Sequence, residues 1–231
     1  GRFTMSIPLN FERIRAGTKV GKKQIIYSVL FSAILGFVLG LLAKIVDSPI
    51  IPNEISFLGF IGSNMGIWIF ISTLIAVYSA TPILAATRVF TYLITMLFSY
   101  YIYTILFLGF FPLKFIIFWC IAALLAPIPA YIMWFSRADH LIANVIIAFP
   151  ISVIAFEGYT IYLSTVSYYE KFSQFENVLV SKGNYIYMLI TEIVYLFLIM
   201  IFLLFIPKRK KQCLAIIPIS VFVFTILTIL L

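Results

Sequence analysis

Seven runs of about 20 apolar residues, separated by short polar segments, constrain this chain more than any other feature. A helix rising 1.5 Å per residue needs roughly 20 residues to cross a hydrocarbon core of about 30 Å. The runs occupy 25–46, 58–78, 83–107, 114–135, 141–163, 184–206 and 213–231. Of 231 residues, 64% are hydrophobic and 10% charged, against roughly 25% charged in a soluble domain. No soluble fold hides that much apolar surface. The expected fold is an all-α integral membrane protein, a single bundle of seven transmembrane helices over 24–231. A basic cytoplasmic leader at 1–23 precedes it, of which residues 1–4, ahead of Met5, read as a cloning remnant. No cleavable signal peptide is expected, because the first run is too long and lacks a small-residue cleavage site.

Charge sets the expected orientation. With the N-terminus inside and the C-terminus outside, the inner segments hold twelve of the sixteen Lys and Arg residues, Arg88, Arg137 and the Lys208–Lys211 cluster among them. Lys44, Lys114, Lys171 and Lys182 fall outside. This is the positive-inside pattern. The net charge of +8 is therefore a topology signal, and no nucleic-acid partner is expected. A competing arrangement breaks the fifth run at Pro150 into two re-entrant halves and puts the last basic cluster outside, against the bias. Pro127 and Pro129 remove backbone donors in the fourth run, so a kink is expected there.

Polar residues inside the runs mark candidate sites. Counted from the helix ends, Asn64, Glu157 and Glu192 share a depth of roughly 9–12 Å below the outer surface, in a layer with Trp68, Tyr100, Tyr103, Trp119 and Tyr159. A carboxylate in hydrocarbon costs about 2.5–3.5 kcal/mol even on the mildest scale, so an intramembrane Glu is a functional hypothesis by default. The expected substrate-binding set is Asn64, Trp68, Tyr100, Tyr103, Trp119, Glu157 and Glu192, lining one outward-facing pocket. Two carboxylates with aromatic walls suit a small cationic or amphipathic molecule. Structural alternatives stand beside this: an interfacial belt for the aromatics, a headgroup position for Glu157, an ion pair with Lys44 for Glu192, and snorkelling to the cytoplasmic interface for Arg88.

The first run also carries Ser28, Ser32, Gly36 and Gly40, each four residues after the last. Such a ladder lays small residues along one helix face and permits close helix approach in lipid. It serves either internal packing or docking of a membrane-protein partner. The 164–183 segment places Tyr168, Phe172 and Phe175 on one face of a short helix, resting on the interface or closing over a pocket mouth. Cys120 and Cys213 lack ligand-spaced neighbours and read as small packing residues. The single histidine, His140, sits in a turn, so no metal or cofactor and no enzymatic chemistry is expected.

The stretch 66–103, with Gly109-Phe110-Phe111-Pro112 and Trp119 after it, resembles a family of small bacterial multi-pass membrane proteins to which no activity is assigned. The likeness covers about 24–206 and implies residence in the bacterial cytoplasmic (inner) membrane. The chain is also similar, more weakly, to the substrate-binding membrane subunits of energy-coupling-factor vitamin transporters. That similarity implies an outward-facing pocket and a partner docked on the first helix. It departs from them in its seventh run and in lacking an alanine-rich docking motif. The expected function is a carrier or substrate-capturing transporter subunit; the alternative is an accessory or immunity-type protein acting through helix-face contacts.

Overall fold

The computed structural model describes residues 15–47, 57–109, 113–172 and 178–230, and among these no strand occurs. The elements are α1 (Lys22–Val46), α2 (Phe57–Ser63), α3 (Met65–Val77), α4 (Pro82–Leu108), α5 (Leu113–Leu125) and α6 (Pro127–Met133). A 3-10 turn (Trp134–Arg137), α7 (Leu141–Phe172), α8 (Val178–Phe205) and α9 (Lys210–Leu230) follow. Six stretches are long and apolar enough to cross a bilayer, counting 113–137 as one, and α2 with α3 makes a seventh, bent by 63°. The bent pair runs from one end of the bundle to the other. Gly59 lies against the backbone of Val46 and Asp47 at the far end of α1, while the Val77 carbonyl accepts from Arg15 in the leader.

Local chemistry explains the element ends. Pro82 takes the first helical position of α4, where its missing donor costs nothing, and the Thr81 hydroxyl accepts from the Leu84 N–H at 3.2 Å. Gly109 ends the helix with φ 68°. Between α5 and α6 the Ala126→Ala122 and Ala130→Ala126 bonds keep the ladder going past Pro127, so the prolines mark a joint inside one span. Pro150 does not interrupt α7, which is continuous over 32 residues. The two-halves arrangement of the fifth run is absent. Residues 164–172 belong to α7 rather than to a loop, and Phe175 lies outside the described residues.

The tightest pairing joins α1 to α4. A Cβ on Gly36 would stand 2.1 Å from the Tyr92 carbonyl oxygen, and one on Gly40 would stand 2.2 Å from that of Met96. Only glycine lets the two backbones come this close. Ser32 is fully buried in the same face and accepts from Arg88 Nε at 3.1 Å. The Ser32, Gly36 and Gly40 stripe, with half-buried Ser28 at its end, is thus consumed internally. This corrects the docking assignment, because α4 already occupies the face a partner would need.

Two apolar clusters fill the bundle. One gathers α3, α4 and α5–α6 around Val89, Tyr92, Met96 and Trp134. The other gathers α7, α8 and α9 around Ile147, Ile154, Met188 and Phe202. The α3 helix serves both, with Trp68 and Ile75 on one side and Phe70 and Val77 on the other.

The leader end is cross-linked by polar contacts. Arg15 donates to the Val77 carbonyl at 3.1 Å and to the Trp134 carbonyl, and its guanidinium lies 4.1 Å from the Trp134 ring centre. Trp134 Nε1 donates to the Ser79 carbonyl at 2.8 Å, and Arg88 donates to the Ser79 hydroxyl at 3.0 Å. Arg88 reaches the leader end, where it is held by Ser32 and Ser79. Arg209 pairs with Asp139 at 2.5 Å, tying the α8–α9 turn to the start of α7.

Candidate functional site

The break between α2 and α3 is the first unusual feature at the expected depth. A helix interrupted in hydrocarbon frees backbone groups that must all find partners. Here they do. The Phe60 carbonyl accepts from Ser63 Oγ (2.9 Å) and Asn64 Nδ2 (2.8 Å), the Ile61 carbonyl from Asn64 N, and the Gly62 carbonyl from Trp68 Nε1 at 2.9 Å. On the other side of the break Glu157, from α7, accepts from Met65 N at 2.6 Å and Gly66 N at 2.5 Å. Tyr195, from α8, donates a third bond to Glu157 at 2.7 Å. A carboxylate at a helix N-terminus meets the positive end of the helix dipole. Glu157 is therefore a clamp, with both oxygens engaged. Gly66 makes room for it, since a Cβ there would stand 2.6 Å from the Tyr195 ring.

Glu192 is placed differently. Its carboxylate lies over Gly158, where a Cβ would come within 2.9 Å of Oε2. Oε1 is buried without a hydrogen-bond partner. It lines a cavity of about 670 Å³ between α7, α8 and α9, with Tyr159, Tyr162, Tyr195 and Ser220. The Ser220 hydroxyl is likewise buried and unpaired. Two of the four residues that carry such atoms among the described residues thus line one cavity.

No family model matches the chain, and the curated proteins and solved structures searched return no match either.

A second cavity, of about 290 Å³, lies on the other side of α3 and is lined by Lys44, Trp68, Tyr100 and Trp119 among others. Lys44 is 6% exposed. It pairs with Asp47 at 2.8 Å and lies 4.8 Å from the Tyr100 ring centre, and Tyr100 donates to Asp47 at 3.2 Å. The expected Lys44–Glu192 ion pair does not form; Asp47 takes that place.

The seven expected binding residues are therefore not gathered in one pocket. Trp68, Tyr100 and Trp119 share the second cavity, Glu192 lines the first, and Glu157 and Asn64 hold the helix break between them. Tyr103 lines neither cavity and stacks on Phe107 at 4.6 Å. Sequence reasoning missed Tyr195, three residues after Glu192 and so on the same helix face. It also missed Ser220, which nothing in its apolar run distinguishes.

Proposed function

We propose that this polytopic membrane protein is a carrier or substrate-capturing transporter subunit whose ligand is an amphipathic organic cation anchored at Glu192. The supporting observation is Glu192, a carboxylate with an unpartnered Oε1 that lines a cavity walled by three tyrosines. A carboxylate in hydrocarbon carries a penalty of about 2.5–3.5 kcal/mol, and a bound cation offsets it. Aromatic faces add about 0.5–2 kcal/mol of cation–π attraction. Glu157 has its own three donors, so Glu192 is the carboxylate left to recognise charge.

The same cavity favours a lipophilic ligand. Tyr159, Tyr162, Leu196 and Val221 line it and are exposed on the lateral surface of the bundle. A ligand that reaches Glu192 enters from the bilayer. With the basic leader inside, the Glu192 layer belongs to the outer half of the membrane, and the bacterial cytoplasmic membrane is the proposed location.

The test is equilibrium binding of tetraphenylphosphonium, a lipophilic cation, to the purified protein in nonionic detergent. Glu192→Gln weakens binding at least about tenfold, equal to about 1.4 kcal/mol, while Glu192→Asp retains most of it. Equal binding by wild type and Glu192→Gln would defeat the assignment. Uptake into proteoliposomes then separates a carrier, which accumulates the cation, from a capturing subunit, which binds without translocating.

A further inference from the structure

The cavity beside Lys44 has a neighbour. An apolar chamber of about 600 Å³ lies deeper in the bundle, bounded by α3, α4, α5–α6 and α7. Trp68, Met96, Leu97 and Trp119 line both chambers, which therefore adjoin. Neither shares a lining residue with the Glu192 cavity.

We infer that the two chambers together hold one single-chain lipid, its tail in the apolar chamber and a small uncharged, hydroxyl-bearing head beside the Lys44–Asp47 pair. Three observations carry this. The first is the polarity gradient. The smaller chamber presents Lys44, Ser63, Tyr100 and Thr104, whereas the larger presents Val89, Leu93, Ala123, Ala130 and Ile146 with Ser72 and Thr73 as its polar residues. A water-soluble ligand would gain nothing from the second chamber, and a plain hydrocarbon nothing from the first.

The second observation is the direction of access. Leu125, Ile132, Val145 and Phe149 line the larger chamber and are exposed on the bundle's lateral surface. The opening between α5–α6 and α7 therefore faces lipid chains, and the occupant is recruited sideways from the bilayer. The chamber's size lies within the roughly 300–1,000 Å³ range of ligand pockets.

The third observation sets the head's charge. Lys44 is neutralised by Asp47 at 2.8 Å, and Tyr100 is bonded to the same carboxylate. A cationic head would draw Asp47 away and leave the buried Lys44 uncompensated, and an anionic head would compete with an Asp47 that already neutralises Lys44. An uncharged head adds hydrogen bonds without separating the charges.

Trp68 and Trp119 line both chambers, whereas Trp134 lines neither, which supplies the readout. The experiment titrates detergent-purified protein with dibromostearoyl monoglycerol, whose bromines quench tryptophan on contact. Expected are saturable quenching, reversal by unbrominated monoolein, and at least about tenfold weaker binding in Ala122→Phe and Ser72→Leu, which fill the apolar chamber. A Trp68→Phe/Trp119→Phe variant, retaining Trp134, loses the quenching.

Quenching that never saturates, or that has the same affinity in the folded filling variants, would overturn the inference. So would quenching that persists when Trp134 is the sole tryptophan. Oleate displacing the probe better than monoolein would overturn the uncharged head. Tetraphenylphosphonium binding is unchanged in Ala122→Phe, so failure here and failure of the Glu192 reading are separable.

Discussion

Glu157 Oε2 accepts from the backbone N–H of Gly66 at 2.5 Å, across 91 residues of sequence. One carboxylate in the fifth span thus finishes a helix in the second. Hydrogen bonds to a charged group contribute about 1.5–3 kcal/mol each, and orphaned buried donors cost about 1–3 kcal/mol. Glu157→Ala should destabilise the protein by about 2–4 kcal/mol, and Tyr195→Phe by about 1 kcal/mol. Thermal unfolding in detergent checks both, and a neutral Glu157→Ala would mean the break is held by α2 and α3 alone.

Glu192 should behave in the opposite sense. An unpaired buried acid is a stability cost, and replacing such groups by apolar residues of similar size is often neutral or favourable. Glu192→Leu is expected to unfold at the same temperature as wild type or a few degrees higher, while losing the protection tetraphenylphosphonium gives to wild type. Unfolding well below wild type would reassign Glu192 to a structural role.

The α1–α4 contact tolerates no added atom. Gly36→Ala and Gly40→Ala each drive a Cβ to within about 2 Å of a backbone carbonyl, so the neighbouring helix must move. Overpacking of this kind costs about 1–3 kcal/mol. Ser28→Ala, at the half-buried end of the stripe, should change the unfolding temperature little. The ordering of the three variants is the measurement.

Arg15 pins the leader. Burial, then the nearby charge of Arg137, lowers its pKa to about 10, so the guanidinium remains charged at neutral pH. Because the folded-state value lies below the unfolded one, this group adds stability only as pH rises above about 10. The contact should therefore be insensitive to pH between roughly 6 and 9. Arg15→Ala should speed trypsin cleavage at Lys19, Lys22 and Lys23 several-fold. Unchanged cleavage would show that the Thr18–Ala80 backbone bond holds the leader without it.

The spans were legible because length and hydropathy are properties of single segments. Relative height was legible too: counting along the runs puts Asn64, Glu157 and Glu192 at one level, and Glu157 does meet Met65 while Glu192 lies over Gly158. Helix rotation was not legible. In a soluble bundle an apolar stripe points inward, but here lipid and core are both apolar, so nothing told Glu157 from Glu192. The Asn64 break was hidden for a related reason. Its capping carboxylate comes from another span, and Asn64 itself bonds backward to Phe60.

The glycine stripe of α1 has a consequence for how the chain is made. Its partner face, α4, is not complete until 62 residues after Val46, several seconds at ribosomal rates of about 5–20 residues per second. During that interval α1 and the bent α2–α3 pair sit in the bilayer with the stripe unfilled. The first helical hairpin to emerge meets near the end of α1, at Gly59 and Gly62, and leaves the stripe to α4. A change that delays α4, even one far from the stripe, should lengthen the time the nascent protein spends open at its closest seam.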